Sequence, residues 1–134
     1  MDDIFVARLM SSGIQTVGPD TLVEDAAEQM LTQEIGSLVV VDDDNRLLGI
    51  LTTTDFVDIV AKSKPKAQTT VERYMTTDVI TTSAQASIVD VADTMIEHGI
   101  HHVPVVDDDE GVIGMISTTD LTGYISTVQT PSPA

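Results

Sequence analysis

The chain has 134 residues, no cysteine, and 22 acidic against 6 basic residues, a net charge of −16 at pH 7. That length supports one domain or two small units sharing a core, and the lack of cysteine excludes disulfides and thiol nucleophiles and agrees with a reducing compartment. The acidity disfavours nucleic acid and anionic membranes as partners, while 42% apolar residues in regular patterns argue against disorder.

Met1-Asp2-Asp3 places acids where a signal peptide carries Lys or Arg. The longest apolar runs, such as residues 38–41, are too short to span a bilayer, so the expected location is the cytoplasm. A short apolar strand is predicted at 14–17. A helix follows, opened by a capping box over Thr21-Leu22-Val23-Glu24. Val23, Ala26, Ala27, Met30 and Leu31 recur along it at helical spacing, and Gly36 is its expected stop. Residues 38–41 form a β-branched strand, 42–45 a polar hairpin turn, and 47–51 the partner strand. A second helix begins near Thr53. Residues 61–70 hold Pro65 and Lys62, Lys64 and Lys66, and read as a solvated linker or a phosphate-facing basic edge.

The same series then recurs: a strand at 79–81 and a capping box over Ser87-Ile88-Val89-Asp90. Ile88, Val91, Ala92, Met95 and Ile96 mark its helix, with a stop at Gly99. Strands at 103–106 and 112–116 flank a turn at 107–111, a helix starts near Thr118, and the tail 127–134 is expected to be disordered. A shift of 65 positions aligns 8–56 with 73–121 without a gap, with 16 identities over 49 pairs. Val40-Val41-Asp42-Asp43-Asp44 meets Val105-Val106-Asp107-Asp108-Asp109, and Thr53-Thr54-Asp55 meets Thr118-Thr119-Asp120. The chain is one β-α-β-β-α unit written twice. Each unit alone has an exposed apolar face, so the copies are expected to pack about a pseudo-twofold axis, with related clefts between them.

No phosphate-binding Gly-rich loop, dinucleotide fingerprint or nucleophile elbow is present, and no catalytic residue is assigned. His98, His101 and His102 lack helical metal-ligand spacing, and strand entry sends 101 and 102 to opposite faces. The aspartate triplets lack the pattern of a calcium loop and read as solvated turns; no metal is expected.

The strongest chemical signal is Gly49-Ile50-Leu51-Thr52-Thr53-Thr54-Asp55, echoed by Gly114-Met115-Ile116-Ser117-Thr118-Thr119-Asp120. Each run lies where a strand ends and a helix begins, a place with unpaired backbone N–H groups. A hydroxyl at Thr52 or Ser117 can add a donor to a phosphate. A carboxylate at Asp55 or Asp120 repels phosphate but accepts well from a ribose diol. Thr-x-x-Asp and Ser-x-x-Asp are also capping boxes. The two roles are compatible.

The run His98-Gly99-Ile100-His101-His102-Val103-Pro104-Val105-Val106-Asp107, followed by 114–121, resembles a CBS domain. So does Ile35-Gly36-Ser37-Leu38-Val39-Val40-Val41-Asp42 with 49–56, and Arg8-Leu9-Met10 and Arg73-Tyr74-Met75 fit its opening. The resemblance spans about 5–125 and implies a stand-alone tandem pair: an α/β fold of β-α-β-β-α repeats at 5–61 and 71–126, joined by 62–70. It implies no obligatory cofactor but a regulatory ligand, an adenosine nucleotide (AMP, ADP or ATP) or S-adenosylmethionine. Thr52, Asp55, Ser117 and Asp120 would then contact ribose and phosphate, with Thr54 and Thr119 close by. Thr16 and Thr81 would border the adenine, and Ser37, Leu38, Val39, His102, Val103 and Pro104 would line the base. Val39 stands where many members have proline. The implied role is a sensor that signals to an unidentified effector protein, commonly as a homodimer; the alternative is a ligand-free scaffold or dimerisation module. The acidic, lysine-poor composition resembles proteins of salt-loving archaea. It predicts a fold stable at high KCl, where the Debye length shrinks to about 3 Å, and looser at low salt.

Overall fold

The computed structural model describes residues 4–62 and 68–128. The described chain forms two compact units. One contains residues 15–62 and 68–79 together with Glu110–Val112; the other contains residues 4–14, Ile80–Asp109 and residues 113–128. Each unit therefore holds the body of one repeat and the opening segment of the other.

In the first unit, β2 (Thr16–Val17), β3 (Ser37–Val41) and β4 (Leu47–Thr52) form a sheet of order β2-β3-β4, with β2 parallel and β4 antiparallel to β3. Helices α2 (Val23–Gln33) and α3 (Thr53–Lys62) complete the repeat. The register pairs Val17 with Val40 and Leu38 with Leu51. Those four side chains pack with Val23, Ala26, Met30, Ile59 and Val71 in one apolar core. The second unit mirrors this with α4 (Ile88–His98), β5 (His102–Asp107), β6 (Gly111–Ser117) and α5 (Thr118–Val128). Its core gathers Val6, Ile88, Val91, Met95, Val103, Val105 and Ile116.

The opening segments form elements that the periodicity did not foretell. Residues 4–14 fold into a one-turn helix α1 (Val6–Leu9) and a short strand β1 (Ser11–Ser12), which pairs antiparallel with β6. The corresponding segment of the second repeat forms a 3-10 turn at Val71–Arg73 and bridges Thr76 to Ile50. The main-chain bonds match across the repeat: Ile88 N donates to Ile4 O at 3.0 Å as Val23 N donates to Thr69 O at 2.8 Å. Val6 N reaches Ala86 O as Val71 N reaches Thr21 O, both at 2.8 Å.

Three sequence expectations are corrected. First, Thr21 does not cap α2. The cap is Leu22, with no side-chain bond, because Thr21 O is taken by Val71 N and Leu22 bridges Thr70. At the equivalent place Ser87 does cap α4, its Oγ accepting from Asp90 N at 3.1 Å. Second, α2 ends at Glu34, not Gly36. Glu34 adopts the left-handed conformation (φ 54°) that Gly99 adopts after α4 (φ 64°). Third, the strand expected at 79–81 reduces to a single parallel bridge between Thr82 and Val105. The helix α5 also runs to Val128, into the tail expected to be disordered. The rest of that tail, and the linker residues 63–67 with Lys64, Pro65 and Lys66, lie outside the described residues.

The left-handed cap gives a prediction. A non-glycine residue in that conformation costs about 1–2 kcal/mol, and Glu34 is exposed. After the extra unfolded-state freedom of glycine is offset, Glu34→Gly is expected to stabilise the protein by about 0.5–1 kcal/mol. Urea unfolding of the two forms measures it.

Candidate nucleotide-binding junctions

Alternation along β3 sends Leu38 and Val40 into the core and leaves Ser37 and Val39 on the opposite face. On that face Thr16 pairs with Val39, and Ser37 pairs with Thr52 at the end of β4. Immediately beyond, α3 begins, and Thr53 N donates to Gly36 O at 3.2 Å. Thr16, Ser37, Val39, Thr52 and Asp55 are thus gathered at one strand-to-helix junction. In the other unit Val103 and Val105 enter the core, leaving His102 and Pro104 on the opposite face. Thr118 N donates to His101 O at 3.0 Å, so α5 starts beside the entry of β5. Thr81 is exposed and precedes Thr82, whose N–H donates to Pro104 O at 3.0 Å. Leu38, Val39, Val103 and Pro104 are all fully buried, Leu38 and Val103 within the cores, so none of the four exposes side-chain surface in this arrangement.

The carboxylates have matching geometry. Asp55 Oδ2 accepts from Thr52 N at 2.8 Å and from Thr52 Oγ1 at 3.3 Å. Asp120 Oδ2 accepts from Ser117 N at 2.8 Å and from Ser117 Oγ at 3.1 Å. Ser117 Oγ also accepts from Asp120 N at 3.2 Å, closing a reciprocal cap. The hydroxyls of Thr52 and Ser117 thus each lie within hydrogen-bond reach of the aspartate of their own junction. Thr54 and Thr119 are both exposed in the first turn of their helices. Among the described residues, no protein donor reaches Oδ1 of either aspartate. One oxygen of each carboxylate holds its junction together.

Glycine at the junction strands serves the chain itself. A Cβ on Gly49 would stand 2.7 Å from Met75 Sδ and 2.8 Å from Thr76 O; on Gly114 it would stand 2.6 Å from Ser11 O. The glycines admit the exchanged opening segments. The identities Met10/Met75 and Gly49/Gly114 were the available signal.

His102 is half-buried, and burial, with His101 beside it, pulls its pKa below the ordinary 6.5 against the opposing pull of Asp120. The folded state thus holds fewer protons than the unfolded one, so stability is full above pH 6.5 and falls as pH drops through that value. The loss of thermal stability between pH 7.5 and 5.5 is expected to be smaller in His102→Gln than in the wild type. Among the described residues no three His, Cys, Asp or Glu side chains gather as a metal site. The aspartate triplets form turns, with Asp42 Oδ1 accepting from Asp44 N at 2.8 Å and Asp107 Oδ2 from Asp109 N at 2.9 Å.

The CBS-domain family model matches residues 6–62 and again 71–127. The chain belongs to the CBS-domain family. It is 32% identical over 125 residues to an uncharacterized 17.7 kDa protein of Acidianus ambivalens, covering 93% of this chain and 75% of that one. Homoserine O-acetyltransferases also match, for example that of Methanosalsum zhilinae at 33% identity, but this chain spans only 25% of its length. Among solved structures, the CBS domain pair of protein MJ0100, in complex with 5′-methylthioadenosine and S-adenosyl-L-methionine, superposes with a TM-score of 0.85 at 28% identity. That match covers 94% of this chain and 98% of the other. An uncharacterized conserved protein from Pyrococcus horikoshii gives a TM-score of 0.83 at 28% identity, covering both chains completely. The mixed α/β tandem CBS fold follows from these matches. No helix among the described residues is long and apolar enough to cross a membrane.

Proposed function

We propose that this CBS pair is a regulatory module that binds adenosine compounds at its two strand-to-helix junctions and passes occupancy to a partner protein. The observation that carries this is the duplicated aspartate, tied to its strand end through Oδ2, with no protein donor on Oδ1 among the described residues. The MJ0100 pair, with its adenosine-type ligands, supports the ligand class. Thr16, Ser37 and Val39 serve the base at one junction, and Thr81, His102 and Pro104 at the other. Asp55 and Asp120 take the ribose, and Thr54 and Thr119 face the 5′ substituent.

The reading extends to a cytoplasmic homodimer. Leu31 and Ile96, which align across the repeat, are 80% and 81% exposed on α2 and α4, and Val57, Val60 and Ile125 are exposed on α3 and α5. Apolar side chains at equivalent places on both repeats suit a second copy. The net charge of −16 supports working in concentrated salt.

A thermal-shift series in molar KCl with AMP, ADP, ATP, S-adenosylmethionine and 5′-methylthioadenosine tests the proposal. A true ligand at 100 times its Kd stabilises the fold by about 2.7 kcal/mol. A flat series overturns the reading.

A further inference from the structure

The aligned methionines of the two opening segments occupy the same seat in both repeats. A Cβ on Gly49 would stand 2.7 Å from Met75 Sδ, and one on Gly114 would stand 3.0 Å from Met10 Sδ. Each thioether therefore fills the space that a missing side chain leaves on β4 or β6, the strand that runs into its junction. Each also packs against the core of its own unit, Met75 on the cluster that holds Leu51 and Met10 on the cluster that holds Ile116. Main-chain pairing beside each methionine joins opening segment to strand. Thr76 exchanges hydrogen bonds of 2.9 and 3.0 Å with Ile50, and Ser11 and Ser12 pair with Met115 and Gly114. Met10 and Met75 are partly exposed, whereas Met30, Met95 and Met115 are buried, with 5%, 3% and 9% exposure. Of the five described methionines, the two most accessible to solvent are thus the two that fasten the opening segments.

We infer that Met10 and Met75 are a paired oxidation site, through which hydrogen peroxide releases the opening segments from the junction strands. The sulfur lone pair attacks one peroxide oxygen. The S–O bond forms as the O–O bond breaks, and the other oxygen leaves as water with both peroxide protons. Sulfur loses two electrons and the peroxide gains them, giving methionine sulfoxide. The sulfoxide is polar and carries an oxygen where an apolar thioether lay against a glycine backbone. Keeping its place leaves that oxygen desolvated without a donor, which favours withdrawal of the side chain from the glycine. Withdrawal pulls on the pairing next to it in the chain, Ser11 and Ser12 after Met10 and Thr76 after Met75. The inference does not depend on which ligand the junctions hold.

The test is treatment of the whole chain with hydrogen peroxide, followed by peptide mass mapping, thermal unfolding and hydrogen exchange. Met10 and Met75 are expected to gain an oxygen about fivefold faster, or more, than Met30, Met95 and Met115, since oxidation follows exposure. The protein oxidised at both sites is expected to melt about 5–10 °C lower, the scale of one poorly solvated polar group in a chain of this length. Amide exchange across residues 4–14 and 69–79 is expected to quicken about tenfold, as local opening requires. Treatment with the two methionine sulfoxide reductases, one for each epimer, is expected to restore the melting temperature. Met10→Leu/Met75→Leu keeps the apolar volume without an oxidisable sulfur and is expected to melt at the same temperature before and after peroxide. Equal or faster oxidation of the three buried methionines overturns the inference. So does an unchanged melting temperature once both sulfoxides have formed, or an equal loss in the leucine double variant. Should that variant fail to fold, the site-resolved rates and the amide exchange of the wild type decide alone.

Discussion

Gly111→Ala is expected to destabilise the protein by about 2–5 kcal/mol. Gly111 has φ +79°, where an L side chain costs about 1–2 kcal/mol. A Cβ there would also run into the carbonyl of Asn45, a backbone group with no rotamer by which to withdraw. Overpacking of this kind adds about 1–3 kcal/mol. The carbonyl cannot move without cost, because Asn45 O accepts from Val112 N at 3.0 Å. The same residue donates from Nδ2 to Glu110 O at 2.9 Å and Val112 O at 2.7 Å. Asn45 itself sits at φ 65°, a conformation asparagine tolerates. Urea unfolding checks the value, with Gly18→Ala as the control. A Cβ on Gly18 meets nothing within 4 Å, so that change is expected to stay within about 0.5 kcal/mol.

Asp120→Ala is expected to weaken adenosine-compound binding at the second junction by roughly 10- to 150-fold. The basis is the loss of charge-assisted hydrogen bonds worth about 1.5–3 kcal/mol. The same change removes the acceptor of Ser117 N and Oγ and costs about 1 kcal/mol of stability, the usual scale for a lost cap. Asp55→Ala is expected to act alike at the first junction and to leave the second site's affinity as it was. Calorimetry of the two variants separates the contributions. A stability loss with unchanged affinity at both junctions would reduce the carboxylates to caps.

Much of this architecture was legible in the repeat. The buried strands, both hairpin turns and the pair of hydroxyl–carboxylate junctions were read from spacing and identity alone. The 65-residue register also contained information that motif reading overrode. Leu22 aligns with the capping Ser87, so Thr21 stood one place too early for a cap. Glu34 aligns with Gly99, so the helix end was marked by position although not by residue type. The exchanged openings were not legible. Segments 4–14 and 69–79 contribute Val6, Met10, Val71 and Met75, too few apolar side chains to show a period. Their partners lie tens of residues away, where no local pattern can identify them. The hydroxyl placement at Thr52 and Ser117 was likewise a matter of geometry. Sequence shows a donor, and only structure shows how close it lies to the carboxylate three residues on.

The central claim is that the paired junctions hold an adenosine compound through Asp55 and Asp120. Its most direct test is calorimetric titration of the wild-type protein and of Asp55→Ala/Asp120→Ala with 5′-methylthioadenosine in molar KCl. The account predicts saturable binding to the wild type and none to the folded double variant. Equal binding by both proteins, or no binding by the wild type, would contradict it.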